Sequence, residues 1–254
     1  MILRIDDYDI NYIDEGEGEA VILLHGWGSN LKSFNSLIEL LKSKYRVLAI
    51  DYPGFGESSE LKRSFTIDDY ADIVEKFLVK LGIEKVILVG HSYGGRIILK
   101  LNSRKALPFE IKKNVLIDAA GLKDKRDFKT TLKIKTFKTL KKMAHILPIS
   151  EEKKEELEKE LKSRFGSKDY AEAKPIIRET LVKSVNEDLT DCLDDMRETL
   201  LIWGDRDMVT PMWMAKKMES TIKNAGLVVL SGGHFSYLDD PYKFSKVIIS
   251  YFGL

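Results

Sequence analysis

Three groups of residues in this 254-residue chain have the types and spacing for nucleophilic catalysis. The first is Gly90-His91-Ser92-Tyr93-Gly94, which fits the pattern G-x-S-x-G. The second is an acidic pair, Asp205 and Asp207, in the loop Gly204-Asp205-Arg206-Asp207-Met208-Val209-Thr210-Pro211. The third is His234, at the end of Ser231-Gly232-Gly233-His234. A serine hydroxyl is a weak nucleophile at neutral pH, so a histidine must take its proton. The histidine in turn needs an acceptor on its other ring nitrogen, to fix the tautomer and stabilise the imidazolium. Serine, carboxylate and histidine are the set this chemistry requires, and they occur in that order.

These side chains work together only if the fold brings them to one place. Val86-Ile87-Leu88-Val89 is a short, β-branched apolar run, as expected of a strand buried on both faces. A helix is expected directly after Ser92. A strand that turns at once into a helix strains the serine backbone, and the flanking glycines let neighbouring backbone pass without Cβ clashes. From residue 20 the pattern alternates. Strands are expected at 20–24, 45–50, 86–89 and 114–117, with helices over 31–43, from an N-cap at Thr66 to Leu81, and after the serine. The alternation resumes with strands at 199–203 and 227–230 and helices over 212–222 and 241–251. Such a pattern predicts an α/β fold with a mostly parallel sheet covered on both faces. Ligands on these sheets bind at the C-terminal strand ends, where His25, Asp51 and Ser92 all fall. Residues 1–13 read as an antiparallel strand pair, and Asp14–Gly18 as the turn after it.

Residues 122–196 break the rhythm and read as a helical insertion over the sheet edge. Its first arm, 123–142, is rich in lysine, with apolar residues at helical spacing up to Pro148. A charged helix is expected from Ser150, as N-cap, to Arg164, and a third helical stretch follows Pro175. The domain division is therefore 1–121 and 197–254 as the core and 122–196 as the cap.

Composition narrows the class. Lysine and arginine total 41 against 40 acidic residues, a net charge of +1, which gives no global electrostatic case for nucleic acid. The single cysteine, Cys192, cannot form an internal disulfide and fits a reducing compartment. No Cys/His cluster suggests structural zinc, no apolar stretch approaches a membrane span, and the N-terminus lacks the apolar region of a signal peptide. The expectation is a cytoplasmic, soluble protein acting on a small molecule as a monomer or homodimer, without stable membrane insertion.

The segments His25-Gly26-Trp27-Gly28, Asp51–Ser58, Gly90–Gly95, Trp203–Asp207 and Gly233-His234 together resemble the α/β-hydrolase superfamily, in its serine-nucleophile branch with a helical cap. The likeness runs from about residue 20 to the end, outside the cap. It implies Ser92 as nucleophile, His234 as base and Asp207 as acid, with the backbone N–H groups of Trp27 and Tyr93 as the oxyanion hole. It also implies no metal or organic cofactor. A serine at this position counts against the dehalogenase and epoxide hydrolase branches, which use an aspartate there. Asp118 and Asp205 are rivals to Asp207, since some members carry the acid at the position of Asp118. Asp51 and His25 are read as ordering their loops, His91 as pointing away from the serine, and His145 as structural or solvated. Arg96 could reach a substrate carboxylate, with a structural ion pair preferred. Met212, Trp213 and Met214 either line the pocket or pack in the core, and the basic arm is a solvated cap face rather than a lipid-binding one. The activity implied is carboxylic-ester hydrolysis. A carbon–carbon bond hydrolase or cofactor-free perhydrolase on the same triad is the alternative, and a catalytically silent ligand-binding sensor is the alternative of another class.

Overall fold

The central strand is the one that the apolar run predicts. In the computed structural model, which describes residues 1–123 and 173–254 together with Lys153, β5 (Lys85–His91) lies between two parallel neighbours. Val86 through Val89 have no solvent exposure. Alternate side chains serve two separate cores, as period-two geometry requires. Val86 and Leu88 pack with helices α2 (Ile67–Lys80) and α3 (Tyr93–Asn102). Ile87 and Val89 face the other layer, which includes α1 (Asn35–Leu41).

Eight strands form one sheet, in the spatial order β1 (Ile2–Ile5), β2 (Tyr8–Glu15), β4 (Tyr45–Ile50), β3 (Glu19–Leu24), β5, β6 (Glu110–Ile117), β7 (Thr199–Gly204) and β8 (Ala225–Leu230). Strands β3 to β8 are mutually parallel, and β1 and β2 add an antiparallel edge. The chain runs outward from β3 to β4, then returns to the other side of β3 to form β5. That reversal is a topological switch point, where loops leave the sheet in opposite directions and open a crevice at the strand ends. Both Gly26-Trp27, after β3, and Ser92, after β5, are placed there.

The remaining α-helices among the described residues are α4 (Pro175–Asn186), α5 (Met212–Thr221), the short α6 (Ser236–Asp239) and α7 (Pro241–Phe252). Thr66 caps α2 as expected. Its hydroxyl accepts from Asp69 N–H while the Asp69 carboxylate accepts from Thr66 N–H, so aspartate fills the reciprocal role usually taken by glutamate or glutamine.

Among the boundaries that differ from the sequence expectation, two share one reason. β6 begins at Glu110, four residues before the apolar run, because Lys85–Ile87 of β5 pair with Glu110–Lys113. β2 continues through Asp14 and Glu15, expected as turn, because these residues pair with Leu48 and Val47 of β4. Backbone pairing recruits polar residues that periodicity assigns to loops. Most of the expected insertion lies outside the described residues, including the basic arm, the helix expected from Ser150 to Arg164, and His145.

Candidate active site

Ser92 stands at the junction of β5 and α3 with φ +49° and ψ −105°. This is a left-handed backbone that costs a non-glycine residue on the order of 1–3 kcal/mol. Its surroundings hold it there. Ser92 N–H donates to Ile117 O on β6, and its carbonyl accepts from Gly95 and Ala120 N–H groups. The glycines are steric necessities. A Cβ on Gly94 would lie 2.0 Å from Leu24 O, and one on Gly90 would lie 2.7 Å from the Gly94 carbonyl carbon. Gly94→Ala is therefore expected to lose about 3 kcal/mol of stability, measurable by urea unfolding, whereas Gly226→Ala, which meets open space, should lose far less. Equal losses would show that the elbow is not sterically tight.

His234 reaches the serine from the loop after β8. Its Nε2 lies 2.8 Å from Ser92 Oγ, and its Nδ1 lies 2.8 Å from Asp207 Oδ2. Asp207 comes from the loop after β7, and its side chain is fully buried. Its Oδ1 accepts from the N–H groups of Val209 and Thr210, at 2.7 and 2.9 Å. Its Oδ2 also accepts from Thr210 Oγ1, at 2.5 Å. Burial pushes the Asp207 carboxyl up, but the bonds from His234 and Thr210 outweigh it and hold the pKa below the usual value. The group remains an anion at neutral pH, oriented on the imidazole. Loops after three different strands thus supply one unbroken chain, carboxylate to imidazole to hydroxyl.

The rival carboxylates are elsewhere. Asp205 has a side chain 47% exposed, accepts Gly232 N–H and lies 3.8 Å from Arg206. Asp118 is buried and bonds to Gly204 and Ser236, not to His234. Asp51 accepts from Leu31 N–H, Glu57 N–H and Asn11 Nδ2, so it orders its loop as expected.

His25 is fully buried, with Nδ1 2.8 Å from Gly26 O and Nε2 accepting from Tyr52 N–H. Burial lowers its pKa to about 4, so it is neutral and structural. His91 has a role the sequence did not suggest. Its Nε2 donates to His234 O at 2.8 Å, and burial lowers its pKa to about 4. A neutral His91 therefore ties down the backbone of the residue that binds Ser92. Thr210, which braces Asp207, was equally invisible in the sequence. The only available signal was its place three residues after the aspartate.

Arg96 makes no ion pair among the described residues, which corrects the expectation. Its Nη1 donates to the carbonyls of Ser184 and Glu187 at the C-terminal end of α4, where a cation suits exposed carbonyls and the helix dipole. Beside it, Tyr93 Oη bonds Ser184 Oγ at 2.8 Å. Met212 and Met214 pack against the core, and Trp213 is 37% exposed. The rings of Trp27 and Tyr93 meet edge to face at 5.0 Å. Tyr93 is the first residue of α3, where N–H groups lack intrahelical acceptors and the dipole favours negative charge. Among the described residues, no cluster of three His, Cys, Asp or Glu side chains is placed to hold a metal ion.

The alpha/beta hydrolase fold family profile matches residues 19–241. The chain belongs to that family. Among its relatives is an uncharacterised hydrolase, YugF, of Bacillus subtilis, 28% identical over 97% of this chain and 94% of that protein. The pimeloyl-[acyl-carrier protein] methyl ester esterase of Wigglesworthia glossinidia brevipalpis is 25% identical, over 92% of this chain and 93% of its own length. Among solved structures, an esterase from Exiguobacterium antarcticum superposes with a TM-score of 0.74 at 26% identity, over 98% of this chain and 97% of that one. This α/β hydrolase therefore has an esterase-like neighbourhood in both sequence and structure.

Proposed function

We propose that the protein is a serine hydrolase of carboxylic esters, working through an acyl-enzyme. The observation that carries this reading is the bonded chain Asp207–His234–Ser92, with 2.8 Å at each histidine nitrogen. Ser92 Oγ attacks the ester carbonyl as His234 Nε2 takes its proton. Asp207 holds the Nδ1 proton and stabilises the imidazolium. The tetrahedral oxyanion is held by the backbone N–H groups of Trp27 and Tyr93. His234 returns the proton to the departing alcohol. Water, deprotonated by the same imidazole, then attacks the acyl-enzyme and releases the acid.

In this reading residues 1–121 and 197–254 form the catalytic core and 122–196 the cap that selects a small or medium apolar ester. The esterase names among the relatives support the substrate class. A carbon–carbon or perhydrolase activity would use the same triad, but no observation at this site favours it. An assembled triad weighs against a silent sensor, which has no use for a base bonded to a serine.

The direct test is a panel of p-nitrophenyl esters of graded acyl length, with fluorophosphonate labelling mapped by mass spectrometry. Turnover of at least the short esters and a single label on Ser92 are expected. Tight ligand retention without turnover or label would favour the sensor.

A further inference from the structure

Asp118 is a buried carboxylate that the proposed chemistry does not use. It follows β6 with no solvent exposure and a φ of +44°, a backbone that non-glycine residues adopt at a cost. Among the described residues no cation pairs with it. Its partners instead belong to the two loops that carry the other two triad members. One carboxylate oxygen accepts Gly204 N–H at 2.8 Å, at the start of the turn that presents Asp207. The other accepts both the N–H and the hydroxyl of Ser236, at 3.0 and 2.7 Å, two residues after His234. The backbone carbonyl of Asp118 lies 3.0 Å from Thr210 Oγ1, the hydroxyl that braces Asp207. Asp118 N–H donates to Ile202 O on β7, closing the attachment.

We infer that Asp118 is a positioning residue, whose charged side chain locks the acid turn and the histidine turn in the register that lets His234 bond Asp207 and Ser92 together. The inference rests on the serine hydrolase reading. Three donors converge on two oxygens, an arrangement that suits an anion, since a protonated carboxyl must donate once itself. Burial raises the Asp118 pKa to about 6; the bonds from Ser236 and Gly204 oppose the rise, and the Asp207 charge adds to it. The titratable groups that feel it are Asp207 on the acid turn and Tyr237 on α6. The lock is thus half charged at about pH 6, largely charged at neutral pH, and released in mild acid. A folded pKa above the ordinary carboxylate value also means that its charge opposes folding stability as pH rises through about 6. That direction suits a group kept for site geometry.

The test uses the full chain with Asp118→Asn and Ser236→Ala, assayed on a short p-nitrophenyl ester. Rates are normalised to Ser92 sites titrated with fluorophosphonate, and melting temperature is followed in parallel. Asparagine must point an N–H₂ at one of the loops, so a loop donor loses its acceptor. Asp118→Asn should lower kcat per titrated site about 10- to 100-fold, since small misplacements of reacting groups cost that much, with KM little changed. Ser236→Ala keeps the N–H contact and should lose less, about three- to tenfold. The acid limb of kcat/KM should carry a contribution from Asp118 near about pH 6 in the wild type. That contribution should vanish in Asp118→Asn. Unchanged kcat per site and an unchanged acid limb, with only the melting temperature lowered, would reduce Asp118 to a structural residue and leave the triad standing. If Asp118→Asn does not fold, wild-type kcat and acid limb in Ser236→Ala overturn the lock. A wild-type protein that neither turns over esters nor takes the label overturns the hydrolase reading, and the inference with it.

Discussion

Ser92→Ala should lower ester turnover on the order of 10⁶-fold in kcat, to the level that binding and oxyanion contacts alone sustain. Only the hydroxyl is deleted. The N–H of residue 92 still donates to Ile117 O, and its carbonyl still accepts from Gly95 and Ala120. Alanine meets the same positive φ as serine, so the elbow is neither relaxed nor further strained, and the melting temperature should be little changed. Fluorophosphonate labelling should disappear along with activity. A folded Ser92→Ala protein at wild-type activity would remove Ser92 from the reaction altogether. A variant that lost activity only because it failed to fold would be exposed by its melting curve.

Asp207→Asn should cost about 10⁴-fold in kcat with the fold retained. The Asn carbonyl can still accept from the Val209 and Thr210 N–H groups, so the turn survives. Its N–H₂ would then face His234 Nδ1, which must become an acceptor. The imidazole proton moves to Nε2, where it points at Ser92 Oγ, and the base can no longer take the serine proton. Asp205→Asn should be mild, because an Asn oxygen replaces the single bond Asp205 accepts from Gly232 N–H and the ion pair with Arg206 is exposed. Parallel kcat measurements on one ester decide between the two. A larger loss at Asp205 would move the acid there.

Much of the site was legible because its signals are local. A buried apolar run, a serine between glycines and a helix beginning at once are neighbours in sequence, and the steric demand that links them acts over five residues. The Leu24 carbonyl that excludes any side chain at Gly94 is distant in sequence, yet its effect is written as the glycine itself. The expected topology followed from the same kind of signal, since alternating elements with short connections admit few arrangements. Strand ends were less legible. Glu110–Lys113 and Asp14–Glu15 are polar, and only a neighbouring strand's unpaired backbone makes them β.

By itself the sequence determined the α/β architecture, the Ser92 elbow, the order of serine, acid and histidine, and the candidates for each role. Only the tertiary structure decided which carboxylate meets His234. Asp205 and Asp207 share a loop two residues apart, and the choice depends on the direction in which the turn after β7 presents each side chain. It alone assigned Thr210, His91 and Asp118 to the support of the histidine and the acid. The physical reason is separation. Asp118 meets Ser236 across 118 residues and His91 meets His234 across 143. Such bonds exist only after the sheet has brought four strand ends to one edge, and no spacing pattern along the chain encodes them.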